Sequence, residues 1–81
     1  TPESELITKQ IAETVNDTMN GLPSDLREAI MLREIEGMSY EDIAEAMECP
    51  IGTVRSRIFR AREAISEKIK PMLDVGEGRR W

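Results

Sequence analysis

The sequence predicts an all-α fold: four helices, with a helix-turn-helix formed by the third and fourth. Three observations carry this. Apolar residues recur at three- and four-residue steps along most of the chain, the spacing of one face of a helix. No stretch alternates apolar and polar residues as a half-buried strand would. Asn20-Gly21, Pro23, Gly37 and Cys49-Pro50 divide the chain where helices stop and start.

The first helix is expected from about Glu3 to Met19. Leu6, Ile7, Ile11, Val15 and Met19 form its apolar stripe, Thr1-Pro2 supplies a cap and a first-turn proline, and Asn20-Gly21 ends it. The second is expected from about Pro23 to Glu36. Pro23 suits a first turn, and Ser24, Asp25 and Glu28 favour the positive helix start. Leu26, Ala29, Ile30 and Arg33 share a stripe that Met31, Leu32 and Ile35 widen, so this helix is expected to be central. Gly37 closes it.

The third helix is short, about Tyr40 to Glu48, with Ser39 and Asp42 spaced like a capping box. Ile43, Ala44 and Met47 face inward. The fourth begins near Pro50 or Ile51 and runs to about Lys70, where Pro71 is expected to stop it. Ile51, Val54, Ile58, Ala61, Ile65 and Ile69 make its stripe. Residues 1–71 then form one small domain, and residues 72–81, with Gly76, Gly78 and Trp81, a flexible tail.

Composition bounds the function. The chain has 81 residues, 40% hydrophobic and 33% charged, a globular balance with room for one small core. It opens on Thr1, as a fragment of a longer protein would. It contains no histidine and one cysteine, Cys49. The commonest general base and the usual zinc ligands are therefore absent, and no catalytic constellation can be assembled. We expect no enzyme activity, cofactor or metal site. A lone thiol fits a reducing compartment such as the cytoplasm, where Cys49 serves as a small buried hydrophobe. No apolar run reaches the length of a membrane span, so no membrane insertion is expected.

Charge is unevenly spread. Residues 1–52 carry Lys9, Arg27 and Arg33 against twelve acids, whereas residues 53–70 carry six cations against Glu63 and Glu67. The basic segment sits on the fourth helix, directly behind a short helix and a tight turn, the arrangement of a DNA-binding helix-turn-helix. Ala44 permits close crossing of the two helices, and Gly52 permits close approach to the first turn of the fourth. At about 100° per residue, Ser56, Phe59, Arg60 and Glu63 point away from the stripe. Arg55 and Arg62 flank one edge and Arg57 the other.

A charged helix face is commonly just solvated. An outward phenylalanine among four arginines is not, because exposed apolar surface of that size calls for a partner. In a DNA major groove Phe59 meets thymine methyls and Arg60 reaches guanine O6 and N7. Arg55, Arg57 and Arg62 are placed for phosphates, which set register.

The stretch "LPSDLREAIMLREIEGMSYEDIAEAMECPIGTVRSRIFRAREAI", Leu22 to Ile65, resembles the C-terminal promoter-binding domain of bacterial sigma factors. Within that family it is most similar to the extracytoplasmic-function group of the envelope-stress type. The resemblance rests on "EGMSYEDIAEAM" followed by "GTVRSRIFRAR" and covers over half the chain. It implies recognition of the minus-35 promoter element within RNA polymerase holoenzyme, hence a role in transcription initiation under stress. It implies that Arg55, Ser56, Phe59 and Arg60 meet bases or adjacent phosphates. Arg33 would contact the DNA backbone, and Ser39, Tyr40 and Thr53, at helix starts, would hold phosphates. An apolar surface would dock on the flap of the polymerase β subunit, and an anti-sigma factor would cover both surfaces. One departure concerns the turn: Glu48 stands where many helix-turn-helix proteins have glycine, which forces a side chain toward the left-handed region.

Two other classes stay open at this point. A sigma-like interaction domain could capture an anti-sigma factor without reading DNA, although it would have no use for the arginine face. The output domain of a response regulator shares a related helix-turn-helix but matches Leu22 to Tyr40 less well.

Overall fold

Helix α1 spans Pro2–Gly21, α2 Ser24–Glu34, α3 Tyr40–Met47 and α4 Ile51–Gly78, in a computed structural model that describes residues 2–78, with side chains as far as Leu73. The all-α, four-helix expectation holds, and no strand occurs among the described residues.

The core forms where α2, α3 and α4 cross. Ala29 from α2, Ile43 from α3, and Val54 and Ile58 from α4 are buried against one another. Leu32, Met38, Tyr40, Ala44, Met47 and Cys49 pack around them, partly buried. The buried set is aliphatic, and burying each large member fully contributes about 1.5–3 kcal/mol. Ile30 and Ala61 are also buried.

Helix α1 lies along α4. Its apolar residues are at most partly covered: none of its side chains is fully buried, and Leu6 is 56% exposed. An amphipathic helix resting on one neighbour loses water on one narrow stripe only.

Three local expectations are corrected. Helix α2 is not enclosed all round. Met31 and Ile35 are exposed, Ile35 at 63%, because packing covers the side of α2 that carries Ala29, Ile30 and Leu32. Pro23 stands just ahead of α2 with φ −52° and ψ 145°, outside the first turn; its carbonyl takes the first helical hydrogen bond, from the Arg27 amide at 3.0 Å. Pro71 lies within α4 and does not end it. A proline removes one amide and frees the carbonyl four residues earlier. Here that residue, Glu67, is exposed, so water can serve the carbonyl.

The expected glycine turn after α2 is present. Gly37 adopts φ +71°, and the Met38 amide returns to the Leu32 carbonyl at 3.1 Å. The Thr1 cap and Trp81 lie outside the described residues.

Candidate nucleic-acid interface

The helix-turn-helix is built from short-range chemistry. Ser39 caps α3 from an extended conformation, its Oγ accepting from the Asp42 amide at 3.1 Å, as the capping-box spacing predicts. At the other end Glu48 takes the left-handed conformation, φ 54° and ψ 50°. It is the non-glycine residue with positive φ among the described residues. That geometry points the Cys49 amide back to the Ala44 carbonyl at 3.0 Å and turns the chain tightly. Pro50 then presents its carbonyl to the amides of Thr53 and Val54, at 3.0 and 3.2 Å, which starts α4.

Core burial sets the roll of α4. Val54, Ile58 and Ala61 are anchored inward. Ser56, Phe59, Arg60 and Glu63 are consequently exposed, and Phe59 stands 64% exposed, as helical geometry predicts. Arg55 also reaches solvent, while Thr53 is half-buried in the first turn. The first turn is open at Gly52: a methyl group there would meet nothing within 4 Å. The fold itself therefore does not demand glycine at that position.

The flanking arginines are engaged within the chain. Arg57 is half-buried, with Nε 3.6 Å from Asp25 Oδ2 of α2 and Nη1 3.7 Å from Cys49 Sγ. Cys49 itself is partly buried in the turn. Arg62 donates from Nε, at 3.0 Å, and from Nη2 to Glu34 Oε1 at the end of α2. The hydrogen bond from Arg62 to Glu34 raises the arginine's pKa, with a smaller contribution in the same direction from Tyr40. Arg62 stays charged at any physiological pH.

Tyr40, half-buried at the start of α3, gathers two cations. The Arg33 guanidinium lies 5.0 Å from its ring centre and that of Arg55 6.0 Å. Both fall within cation–π range. Arg33 also donates from Nη1 to the Met38 carbonyl at 2.8 Å, which fixes it beside the ring.

The structure thus gathers Arg33 and Arg55 on Tyr40 and pairs Arg62 with Glu34, beside the outward strip of Ser56, Phe59 and Arg60. Ser39 and Thr53 stand at the two helix starts. Arg57 is set apart by its pairing with Asp25. Sequence reasoning missed the tyrosine-centred grouping and both carboxylate partners. The segregation of acids onto α2 and bases onto α4 was visible in the chain, but helix crossing decides which acid meets which base. Among the described residues no group of three or more His, Cys, Asp or Glu could hold a metal ion.

The family described as "Sigma-70, region 4" matches residues 12–65. The ECF RNA polymerase sigma-E factor of Haemophilus influenzae is 60% identical over 73 residues, which are 90% of this chain and 39% of that protein. The RNA polymerase sigma-H factor of Pseudomonas aeruginosa is 58% identical over 72 residues, 89% of this chain and 37% of that protein. The ECF RNA polymerase sigma-E factor of Escherichia coli K12 is 54% identical over 72 residues, 89% of this chain and 38% of that protein. The chain therefore spans about two-fifths of the length of these relatives.

Proposed function

This chain belongs to the sigma-70 region 4 family, and from that premise we propose that it reads the minus-35 element of promoter DNA for an RNA polymerase sigma factor. The observation that carries this reading is the exposed strip of Ser56, Phe59 and Arg60 on α4, held outward by buried Val54, Ile58 and Ala61 directly behind a capped helix-turn-helix. Helix α4 enters the major groove. Phe59 lies against thymine methyls and Arg60 donates in bidentate fashion to guanine. Arg55 and Ser56 meet base edges or adjacent phosphates. Arg33, Ser39, Tyr40 and Thr53 hold the backbone, and Arg57 and Arg62 meet phosphates at the flanks, fixing register rather than sequence.

The domain works by binding and carries out no chemistry of its own. Arginine is the residue suited to this task, since its planar fork matches both guanine and phosphate. The arginine face is complete, which favours a DNA reader over a sigma-like mimic that only captures an anti-sigma factor. Exposed Met31 and Ile35 line an open groove on α2 with Leu32, and we assign this apolar surface to the flap of the polymerase β subunit. Anti-sigma capture would use the same surfaces, and the whole protein would act in the cytoplasm. No helix among the described residues is long and apolar enough to cross a membrane.

The test is a titration of the 81-residue chain with a duplex carrying a minus-35 element that the parent sigma factor transcribes, beside a scrambled duplex. Arg60→Ala should cost about 1–3 kcal/mol on the promoter duplex and far less on the scrambled one. Equal binding of parent and variant to the promoter duplex would overturn the reading.

A further inference from the structure

Arg62 stands three residues beyond Phe59 on α4, adjacent to it along one face of the helix. Its Nε and one Nη2 proton are committed to Glu34 Oε1. Both side chains remain half-exposed, so a phosphate can reach the pair from solvent. Glu34 thereby sets a negative charge at the edge of the strip that meets DNA.

A half-exposed ion pair contributes little to folding, about 0–1 kcal/mol at best. The fold has therefore little need of Glu34, and its larger effect falls on whatever anion approaches Arg62. A phosphate arriving there must displace the carboxylate or sit beside it, and in either case the counter-charge opposes it. Guanidinium retains further N–H donors for the exchange.

We propose that Glu34 is an affinity-setting residue that competes with DNA phosphate for Arg62, and so keeps the domain's backbone binding weaker than its arginine content would allow. The consequence is selective. Backbone contacts supply the sequence-independent part of affinity, so restraint at Arg62 lowers attachment to any duplex while leaving Phe59 and Arg60 free to discriminate. A domain held weak in this way depends on tethering to a larger assembly to occupy its site.

This inference rests on the DNA-binding reading above, and the experiment separates the two. Parent, Glu34→Gln, Arg62→Ala and the double variant are titrated with a promoter duplex and a scrambled duplex across a range of sodium chloride. Glu28→Gln serves as a control, because Glu28 lies by the α2 groove beside Met31 and Ile35 and carries the same charge change. Helical circular dichroism checks that each variant is folded. Glu34→Gln should tighten both duplexes about fivefold at low salt, the scale of one unit-charge interaction at contact distance in water. Its log–log salt dependence should steepen, by at most about 0.9, the slope of one full phosphate contact. The gain should vanish in the Arg62→Ala background, and Glu28→Gln should show little of it. Unchanged or weaker binding by Glu34→Gln would overturn the proposal, since Glu34 would then be orienting Arg62. An equal gain from Glu28→Gln, or one that persists without Arg62, would overturn it in favour of a general charge effect. Failure of the parent to prefer the promoter duplex would instead sink the DNA-binding reading, and this proposal with it.

Discussion

Helices α1 and α4 carry the same kind of pattern and come to different ends. Each places an aliphatic residue every three or four positions. Helix α4 buries Val54, Ile58 and Ala61, whereas α1 buries no side chain fully. The difference is the number of neighbours: α4 is packed against by α1, α2 and α3, while α1 has α4 as its main partner. A helix clamped from several sides is fixed in roll about its own axis, and so can aim its opposite face at something else. That fixed roll presents Phe59 and Arg60 to solvent together, which is what the proposed reading of DNA by α4 requires.

The contrast can be broken most severely at its buried centre. Ile58→Ala should destabilise the fold by about 2–5 kcal/mol, which is a large share of what a small domain possesses. Thermal unfolding followed by circular dichroism would show it, and an unchanged midpoint would mean that the roll of α4 is held elsewhere. Ser39→Ala removes the α3 cap and should cost about 1 kcal/mol, read from the same melts. Glu48→Gly should act in the opposite direction by a similar amount, because glycine takes the left-handed turn without the penalty of about 1–2 kcal/mol that other residues carry. A drop in stability there would show that the Glu48 side chain makes a contribution larger than the backbone strain.

The smallest effects sharpen the comparison. Leu6→Ala on α1 and Phe59→Ala on α4 remove two large exposed side chains. Each should leave stability within about 0.5 kcal/mol. They should separate in a binding assay, where Phe59→Ala weakens promoter binding and Leu6→Ala does not. Equal behaviour of the pair would mean that the exposed face of α4 is only a solvated surface.

Much of the geometry of the candidate site was legible before the fold. The outward angle of Phe59 follows from the positions of Val54 and Ile58 and the 3.6-residue period. The Ser39 cap and the left-handed Glu48 follow from local backbone chemistry. Other features were out of reach. Met31 and Ile35 read as core because they are apolar and lie among core residues, yet nothing in a helix stripe states how wide a face its neighbours will cover. Pro71 read as a helix end because its cost was weighed without the exposure of Glu67, which lets water take the freed carbonyl.

The sequence by itself determined the four helices, the Ser39 cap of α3, the turns at Gly37 and Glu48 and the one face of α4 that gathers arginine around phenylalanine. All of these are set by neighbours within a few positions along the chain, where helical periodicity is a sufficient rule. Only the tertiary structure decided that Arg57 meets Asp25, that Arg62 meets Glu34, and that Arg33 and Arg55 converge on Tyr40. These partners come from different helices, and their distances depend on crossing angle and roll, which the packing of Ala29, Ile43, Val54 and Ile58 fixes.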